Sequence, residues 1–227
     1  MKAKGITYSA NPMAASGRPT YFIKTYWNQT TPFNNLCPQV NGSAAPTGCI
    51  ATAMAQIMKH YQYPATSKGT GIYSVTTYKD KNDKEGTTKW YKRELGHTYQ
   101  WNAMQSSYGI LSDDENDAVA TLMADAGAAS RMNYSAATSG TIEWYAANGF
   151  AENFRYDSLA ISCLQRDFYT DAEWMEMVRK EMEAKEPVLY CGSDANEGGH
   201  AFLLDGIQSD GKVHVNWGWG KSGDGWF

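Results

Sequence analysis

The stretch APTGCIATAMAQIMKHYQYP, residues 45–64, sets a glycine and a cysteine directly before a helical pattern. Apolar residues recur in it at spacings of three and four, which is typical of an amphipathic α-helix that ends before Pro64; they are Ile50, Ala53, Met54, Ile57, Met58 and Tyr61. A cysteine at the start of a helix meets unpaired backbone N–H groups and the positive end of the helix dipole, which favour the thiolate. The stretch therefore predicts a helix that presents a nucleophilic Cys49, with a small buried cysteine as the alternative.

Composition limits the classes of function. The 227 residues are 42% hydrophobic and carry a net charge of −4, with Lys and Arg scattered along the chain. A basic stripe is absent from the sequence, so we expect no nucleic-acid partner. No apolar run approaches the ~18 residues of a membrane span, and the first residues lack the apolar segment of a leader. We therefore expect no membrane association, and either a cytosolic protein or one whose leader has been removed.

The cysteines do not indicate a metal site or a disulfide scaffold. The four of them, Cys37, Cys49, Cys163 and Cys191, show no C-x-x-C spacing. They are also few for a chain of this length. We predict no metal and no organic cofactor.

Helical patterns dominate the first two thirds of the chain. A helix is predicted in SDDENDAVATLMADAGAAS (112–130). It opens with a capping box, Ser112 and Glu115, and runs until it meets Gly127 near its end. TIEWYAANGF (141–150) predicts a short helix closed by Gly149, and TDAEWMEMVRKEMEAKEP (170–187) a capped helix with a buried stripe; that stripe is Trp174, Met177 and Val178. Before residue 45 we expect extended chain, and over residues 66–102 a polar excursion with a possible hairpin.

Strand patterns dominate the last third. After Pro187, PVLYCG, HAFLLDGI and KVHVNWGWG are short β-branched or aromatic runs, and SDGK (209–212) predicts a hairpin turn between two of them. The order predicts an α+β fold.

A nucleophilic thiol needs a base, and His200 is the best of four histidines. Two glycines precede it in EGGHAFLLDG, so no neighbouring side chain crowds its ring. His214 alternates with two valines and is the second candidate, whereas His60 is predicted to cap or to be solvated at a helix end and His97 to be exposed.

A histidine base also needs a partner that orients its ring. NWGWG (216–220) offers the Asn216 amide as an acceptor for the imidazole N–H and the indole rings of Trp217 and Trp219 as cover from water. A Trp/Gly hairpin in the sheet core is the alternative. The order Cys49, His200, Asn216 is that of papain-like peptidases, and the separation of 151 residues (200 − 49) is close to the ~130–150 of that group.

Three blocks together resemble the streptopain family of secreted bacterial cysteine peptidases, which includes interpain-type members from oral and gut anaerobes. They are TGCIATAMAQIMKHYQYP, GGHAFLLDG and HVNWGWG followed by DGWF, and the resemblance runs from about Pro19 to the C-terminus. It implies a papain-like two-lobed fold, with Cys49 as nucleophile, His200 as base, and Asn216 with Trp217 supporting the histidine. It also implies a substrate cleft lined by Ser139, Thr141, Gly199 and Trp219, although the loop SAATSG (135–140) would equally serve as a helix-capping linker.

The chain departs from the family pattern at two places. Papain has an oxyanion-hole glutamine six residues before its cysteine, where this chain has Ser43; Gln39 is a substitute donor or a plain surface residue. Family members continue past the point where this chain ends at Phe227, so we expect a C-terminal truncation. The expected organisation is a leader or pro-segment remnant at 1–18 and a catalytic domain at 19–227, with a helical lobe at about 19–135 and a β-rich lobe at about 136–227.

The resemblance implies a cysteine endopeptidase of broad specificity with an apolar preference near the cut. It implies protein or peptide substrates, a pro-domain that inhibits the zymogen, secretion and a role in virulence. The alternatives are a Cys–His cell-wall amidase or transglutaminase-like acyl transferase, and a non-catalytic binding module suggested by the 15 Tyr and 8 Trp.

Overall fold

The computed structural model describes residues 20–109, 111–195 and 198–227. The remnant expected at residues 1–18 lies outside them. Helices are α1 Cys49–Tyr61, α2 Asp113–Ala129, α3 Glu143–Glu152 and α4 Asp171–Ala184, with a short 3₁₀ turn at Arg166–Phe168. Strands are β1 Gln39–Val40, β2 Ser43–Ala44, β3 Thr70–Thr77, β4 Thr87–Glu94, β5 Asn133–Tyr134, β6 Ser139–Gly140, β7 Val188–Asp194, β8 Gly198–Ile207, β9 Val213–Asn216 and β10 Gly225–Trp226.

Two four-stranded sheets frame the molecule. The first has the order β4-β3-β5-β6, in which β3 pairs antiparallel with β4 and parallel with β5. The second has the order β10-β9-β8-β7 and is antiparallel throughout. The hairpin predicted within residues 66–102 is confirmed as β3–β4, and the SDGK turn as the connection between β8 and β9.

Helix α1 lies in the centre of the core. Residues 50–58 are buried, and the helix packs against α2, α3 and β8. Strand β8 alternates: Ala201 and Leu203 face the cluster that contains α1, whereas Phe202 and Leu204 face the cluster formed with α4. The second sheet is therefore covered by α1 on one face and by α4 on the other, which fixes the cysteine helix against the strand that carries His200.

The helix predictions hold in type and differ at particular residues. Both capping boxes, at Ser112 and Thr170, are formed. Tyr61, predicted on the buried face of α1, is 43% exposed because it lies at the last position of the helix.

Two glycines predicted to close helices instead lie inside them. A Cβ on Gly127 would meet the Tyr134 hydroxyl at 1.9 Å, and one on Gly149 would meet the Ala129 carbonyl oxygen at 3.0 Å. Gly127 therefore admits the Tyr134 side chain of β5 against α2, and Gly149 allows close packing of α3 on α2, while the helices continue to Ala129 and Glu152.

Candidate active site

The thiol of Cys49 lies at the first residue of α1. Gly48, the N-cap, has φ 87° and no side chain to bond the first backbone N–H groups, and the first turn carries no acidic residue. Burial alone raises the pKa of Cys49. Hydrogen bonds from the His200 imidazole and from the backbone N–H groups of Ala201 and Ile50 outweigh it, so the pKa is lowered from 9.0.

His200 on β8 is held between this thiol and a backbone carbonyl. Its Nε2 lies 2.9 Å from the carbonyl oxygen of Trp217, which leaves Nδ1 for the Cys49 side chain. Burial alone lowers the pKa of His200, but the hydrogen bonds to Cys49 and to Trp217 raise it above 6.5. Opposite shifts in two contacting groups favour a thiolate–imidazolium pair.

Two indole rings cover the imidazole. The Trp219 ring stacks on the His200 ring with 4.6 Å between centroids, and the Trp217 ring lies at 6.0 Å. Trp217 is fixed in turn by its backbone N–H, which donates to Asp224 at 2.8 Å, and by its indole N–H, which donates to the Gly223 carbonyl at 3.0 Å. The predicted cover of the histidine by tryptophan rings is therefore present.

Asn216 is placed near the site but does not bond the imidazole, contrary to the prediction for its side chain. Its Oδ1 accepts from Gly218 N at 3.0 Å and from Gln56 Nε2 at 3.2 Å, and its Nδ2 donates to the Thr25 carbonyl at 3.0 Å. The ring acceptor is the backbone carbonyl of Trp217, which no side-chain pattern in a sequence reveals.

The residues predicted to line the substrate cleft are placed differently from one another. Ser139 approaches the start of α1, since its carbonyl oxygen would lie 3.1 Å from a Cβ on Gly48, and its buried Oγ has no partner among the described residues. The Thr141 hydroxyl donates to the Ser130 carbonyl at 2.6 Å, at the end of α2. Gly199 is exposed beside His200, and Trp219 is 49% exposed.

The other histidines lie outside this site. His214, the second candidate base, is buried with its Nδ1 2.6 Å from the Asp205 carboxylate. His97 is exposed as predicted and bonds the buried Asp125 at 2.9 Å, and His60 lies in the last turn of α1, with its ring against that of Tyr61.

The other thiols are poorly suited to attack. Cys37 is buried, and burial raises its pKa to about 12. Desolvation of the Cys191 sulfur and the nearby Glu143 carboxylate raise the pKa of Cys191 to about 12, and the same two causes raise that of Cys163. Cys49 is the only one of the four whose pKa is shown to be lowered.

Sequence reasoning missed three contributors to the site. These are the Ala201 backbone N–H on the thiol, the Asp224 carboxylate under the Trp217 loop, and Gln56 behind Asn216. The first is a backbone group and carries no signal. Asp224 follows the Trp/Gly run within eight residues, and Gln56 is a polar residue on the apolar face of α1. These two features of the sequence could have indicated a role near the site.

Comparison with known proteins matches this chain to a family of peptidases. A model of the Peptidase C10 family matches residues 27–227. The chain is 36% identical over 203 residues to the thiol protease/hemagglutinin PrtT of Porphyromonas gingivalis, covering 88% of this chain and 22% of that protein. It is 32% identical over 213 residues to streptopain of Streptococcus pyogenes, covering 89% of this chain and 52% of streptopain.

A solved structure agrees with the fold. The structure of active wild-type interpain A cysteine protease from Prevotella intermedia superposes with a TM-score of 0.80 at 33% identity, covering 92% of this chain and 85% of that one. The predicted papain-like α+β fold is confirmed. The chain spans about half the length of streptopain and about a fifth of PrtT.

Proposed function

Because the chain belongs to the Peptidase C10 family, we propose that it is a cysteine endopeptidase that cleaves proteins and peptides with Cys49 and His200. The observation that carries the proposal is the contact between the two side chains at the start of α1, which lowers the pKa of the thiol and raises that of the imidazole. A lowered thiol pKa and a positioned acid are what peptide cleavage requires.

Acylation uses the charged pair. The Cys49 thiolate attacks the peptide carbonyl carbon, forming a C–S bond, while the backbone N–H of Cys49 donates to the developing oxyanion. The His200 imidazolium then gives its proton to the leaving nitrogen, and the C–N bond breaks. The Trp217 carbonyl accepts from Nε2 throughout, which keeps Nδ1 directed to the reaction.

Deacylation reverses the roles. Neutral His200 takes a proton from water, the hydroxide oxygen attacks the thioester carbonyl, and the C–S bond breaks to give a carboxylic acid and the regenerated thiolate–imidazolium pair.

Substrate binding is proposed to use the surfaces beside the pair. The exposed Gly199 on β8 and the exposed Trp219 ring, both beside His200, support this assignment, as does the approach of the Ser139 carbonyl to Gly48 at the start of α1. Family resemblance supports an apolar preference near the cut.

The test is hydrolysis of casein together with labelling by a papain-type epoxide inhibitor, located by mass spectrometry. We expect casein to be cleaved and the epoxide to modify Cys49, and both to be lost in Cys49→Ala. Hydrolysis of purified peptidoglycan without cleavage of casein would instead support the amidase alternative, and absence of both activities a binding module.

The remaining expectations belong to the same proposal. We infer a secreted protein made as a zymogen and kept inactive by its own pro-domain, with a helical lobe at about 19–135, a β-rich lobe at about 136–227 and a part in virulence. In the described residues, no helix combines the length and apolarity needed to cross a membrane.

A further inference from the structure

Gln56 is a polar side chain in the apolar centre of the protein. It lies seven residues, about two turns, after Cys49 on α1 and is 1% exposed, with the apolar Met54 and Met58 as helix neighbours. Burial of an amide is unfavourable unless its groups are hydrogen-bonded. The bonds that Gln56 makes therefore explain why this position is polar.

Those bonds join the cysteine helix to two other segments. The Gln56 Oε1 accepts from Thr25 Oγ1 at 2.8 Å and from the Asn216 side-chain amide at 3.2 Å, and the Gln56 Nε2 donates to Asn216 Oδ1 at 3.2 Å. Asn216 itself is 3% exposed, and its Nδ2 also donates to the Thr25 carbonyl at 3.0 Å. Each of the two side-chain amides thus donates a hydrogen bond to the other, and both are buried away from solvent.

Asn216 in turn fixes the peptide that holds the histidine. Its Oδ1 accepts from Gly218 N at 3.0 Å, so the side chain spans Trp217 from the residue before it to the residue after it. The Trp217 carbonyl within this span is the acceptor for His200 Nε2 at 2.9 Å. A chain of hydrogen bonds therefore runs from Gln56 through Asn216 and the Trp217 peptide to the imidazole.

We propose that Gln56 is a positioning residue for the peptidase reaction: through Asn216 it holds the Trp217 carbonyl so that the His200 ring meets the Cys49 thiol. The inference rests on the proposed function. Cys49 and Gln56 belong to one helix. This chain of hydrogen bonds therefore fixes the position of the histidine relative to the helix that carries the nucleophile. A reacting group displaced by about 1 Å can lose about 10²-fold in rate.

Two replacements test the role. Gln56→Met keeps the length of the side chain and removes the amide, whereas Gln56→Glu keeps an acceptor for Thr25 and, assayed at a pH where the carboxyl is ionised, removes the donor to Asn216. For both we expect kcat on a peptide substrate to fall by about 10²-fold with KM within about twofold of wild type. We also expect alkylation of Cys49 by iodoacetamide to require a higher pH, because a misaligned imidazole stabilises the thiolate less.

The matched control is Met58→Ala, a buried replacement two residues along the same helix. It should lower the melting temperature and leave kcat and the pH dependence of alkylation unchanged. In addition, Gln56→Met combined with Asn216→Ala should lose no more than Asn216→Ala alone, since the two residues act in one path.

The proposal is overturned if folded Gln56→Met or Gln56→Glu keeps the wild-type kcat and alkylation profile. It is also overturned if Met58→Ala shifts that profile as far as Gln56→Met, or if the Gln56 and Asn216 effects simply add. The alkylation rate of Cys49 is measured in the absence of a peptide substrate, so it does not depend on peptidase activity. A wild-type protein that alkylates at low pH but cleaves no peptide would therefore contradict the proposed function alone, and the alkylation comparison would still decide the role of Gln56.

Discussion

At the scale of single residues, the four thiols differ in their environment. Cys49 receives hydrogen bonds that lower its pKa, whereas the pKa values of Cys37 and Cys191 are raised to about 12. The thiolate is the reactive form. We expect substoichiometric iodoacetamide at neutral pH to label Cys49 first, with Cys163 slower.

The same difference predicts the effect of removing each thiol. Cys49→Ala should abolish peptide hydrolysis, and Cys37→Ala, Cys163→Ala and Cys191→Ala should retain most of it, as measured by initial rates on casein with circular dichroism as the check of folding. Loss of activity in folded Cys191→Ala would contradict this assignment and would indicate Cys191 on β7 as the nucleophile.

The Trp219 ring is expected to stabilise the charged form of His200. A ring stacked at 4.6 Å favours an imidazolium by a cation–π contribution of about 0.5–1 kcal/mol. Trp219→Ala should therefore move the basic limb of kcat/KM to lower pH by about 0.4–0.7 pH unit. Trp90→Ala, which removes an indole that is 64% exposed on β4, is the control and should leave the limb in place. An unchanged basic limb in Trp219→Ala would show that the ring does not support the imidazolium.

The sequence allowed the two side chains of the proposed reaction to be predicted, but not the contact that orients the histidine. Cys49 and His200 could be selected from the sequence by their residue type and by the glycines that precede them. The acceptor for the ring is the Trp217 carbonyl, and every residue has such a group, so Asn216 was assigned a bond that it does not make.

At the scale of elements, the start of α1 depends on Gly48. Its φ of 87° disfavours any residue with a Cβ, and a Cβ there would lie 2.6 Å from the Met132 sulfur. Gly48→Ala should lower the free energy of unfolding by about 1–3 kcal/mol and slow acylation, because Cys49 follows directly. Urea denaturation and single-turnover kinetics measure the two effects.

Gly140→Ala provides the comparison for that change. Among the described residues, no atom other than those of its chain neighbours lies within 4 Å of a Cβ placed on Gly140, so the free energy of unfolding of this variant should stay within about 0.5 kcal/mol of wild type. Equal stability of the two variants would contradict the role given to Gly48.

Glycine also marks the limit of prediction for the helices. Their type followed from spacing and from the capping boxes at Ser112 and Thr170, which are local signals. The ends of α2 and α3 could not be predicted in this way, because Gly127 packs against Tyr134 and Gly149 packs against Ala129, which are residues of other segments. Local sequence cannot distinguish a glycine that ends a helix from one that admits a neighbour.

At the scale of the whole molecule, the site exists because one sheet is packed between two helices. Strand β8 turns Ala201 and Leu203 toward α1, and Phe202 and Leu204 toward α4. The sequence indicates a short strand at HAFLLDG, with apolar residues at four consecutive positions. Which helix covers which face depends on long-range packing, and this required the structure.

The proposed mechanism requires that Cys49 and His200 form a thiolate–imidazolium pair. Although burial opposes both charges, hydrogen bonds that include the one between the two side chains lower the pKa of Cys49 from 9.0 and raise the pKa of His200 from 6.5, so each group favours the charged form of the other. Losing either partner should reduce the pKa shift of the other.

The most direct measurement is the rate of Cys49 alkylation by iodoacetamide against pH in wild type, His200→Ala and His214→Asn. His214→Asn keeps an N–H donor for the buried Asp205 and serves as the control histidine. We predict a low-pH reactive limb in wild type and His214→Asn, and its loss in folded His200→Ala, with the remaining reaction near the ordinary thiol pKa. A low-pH limb that persists in His200→Ala and disappears in His214→Asn would contradict the account.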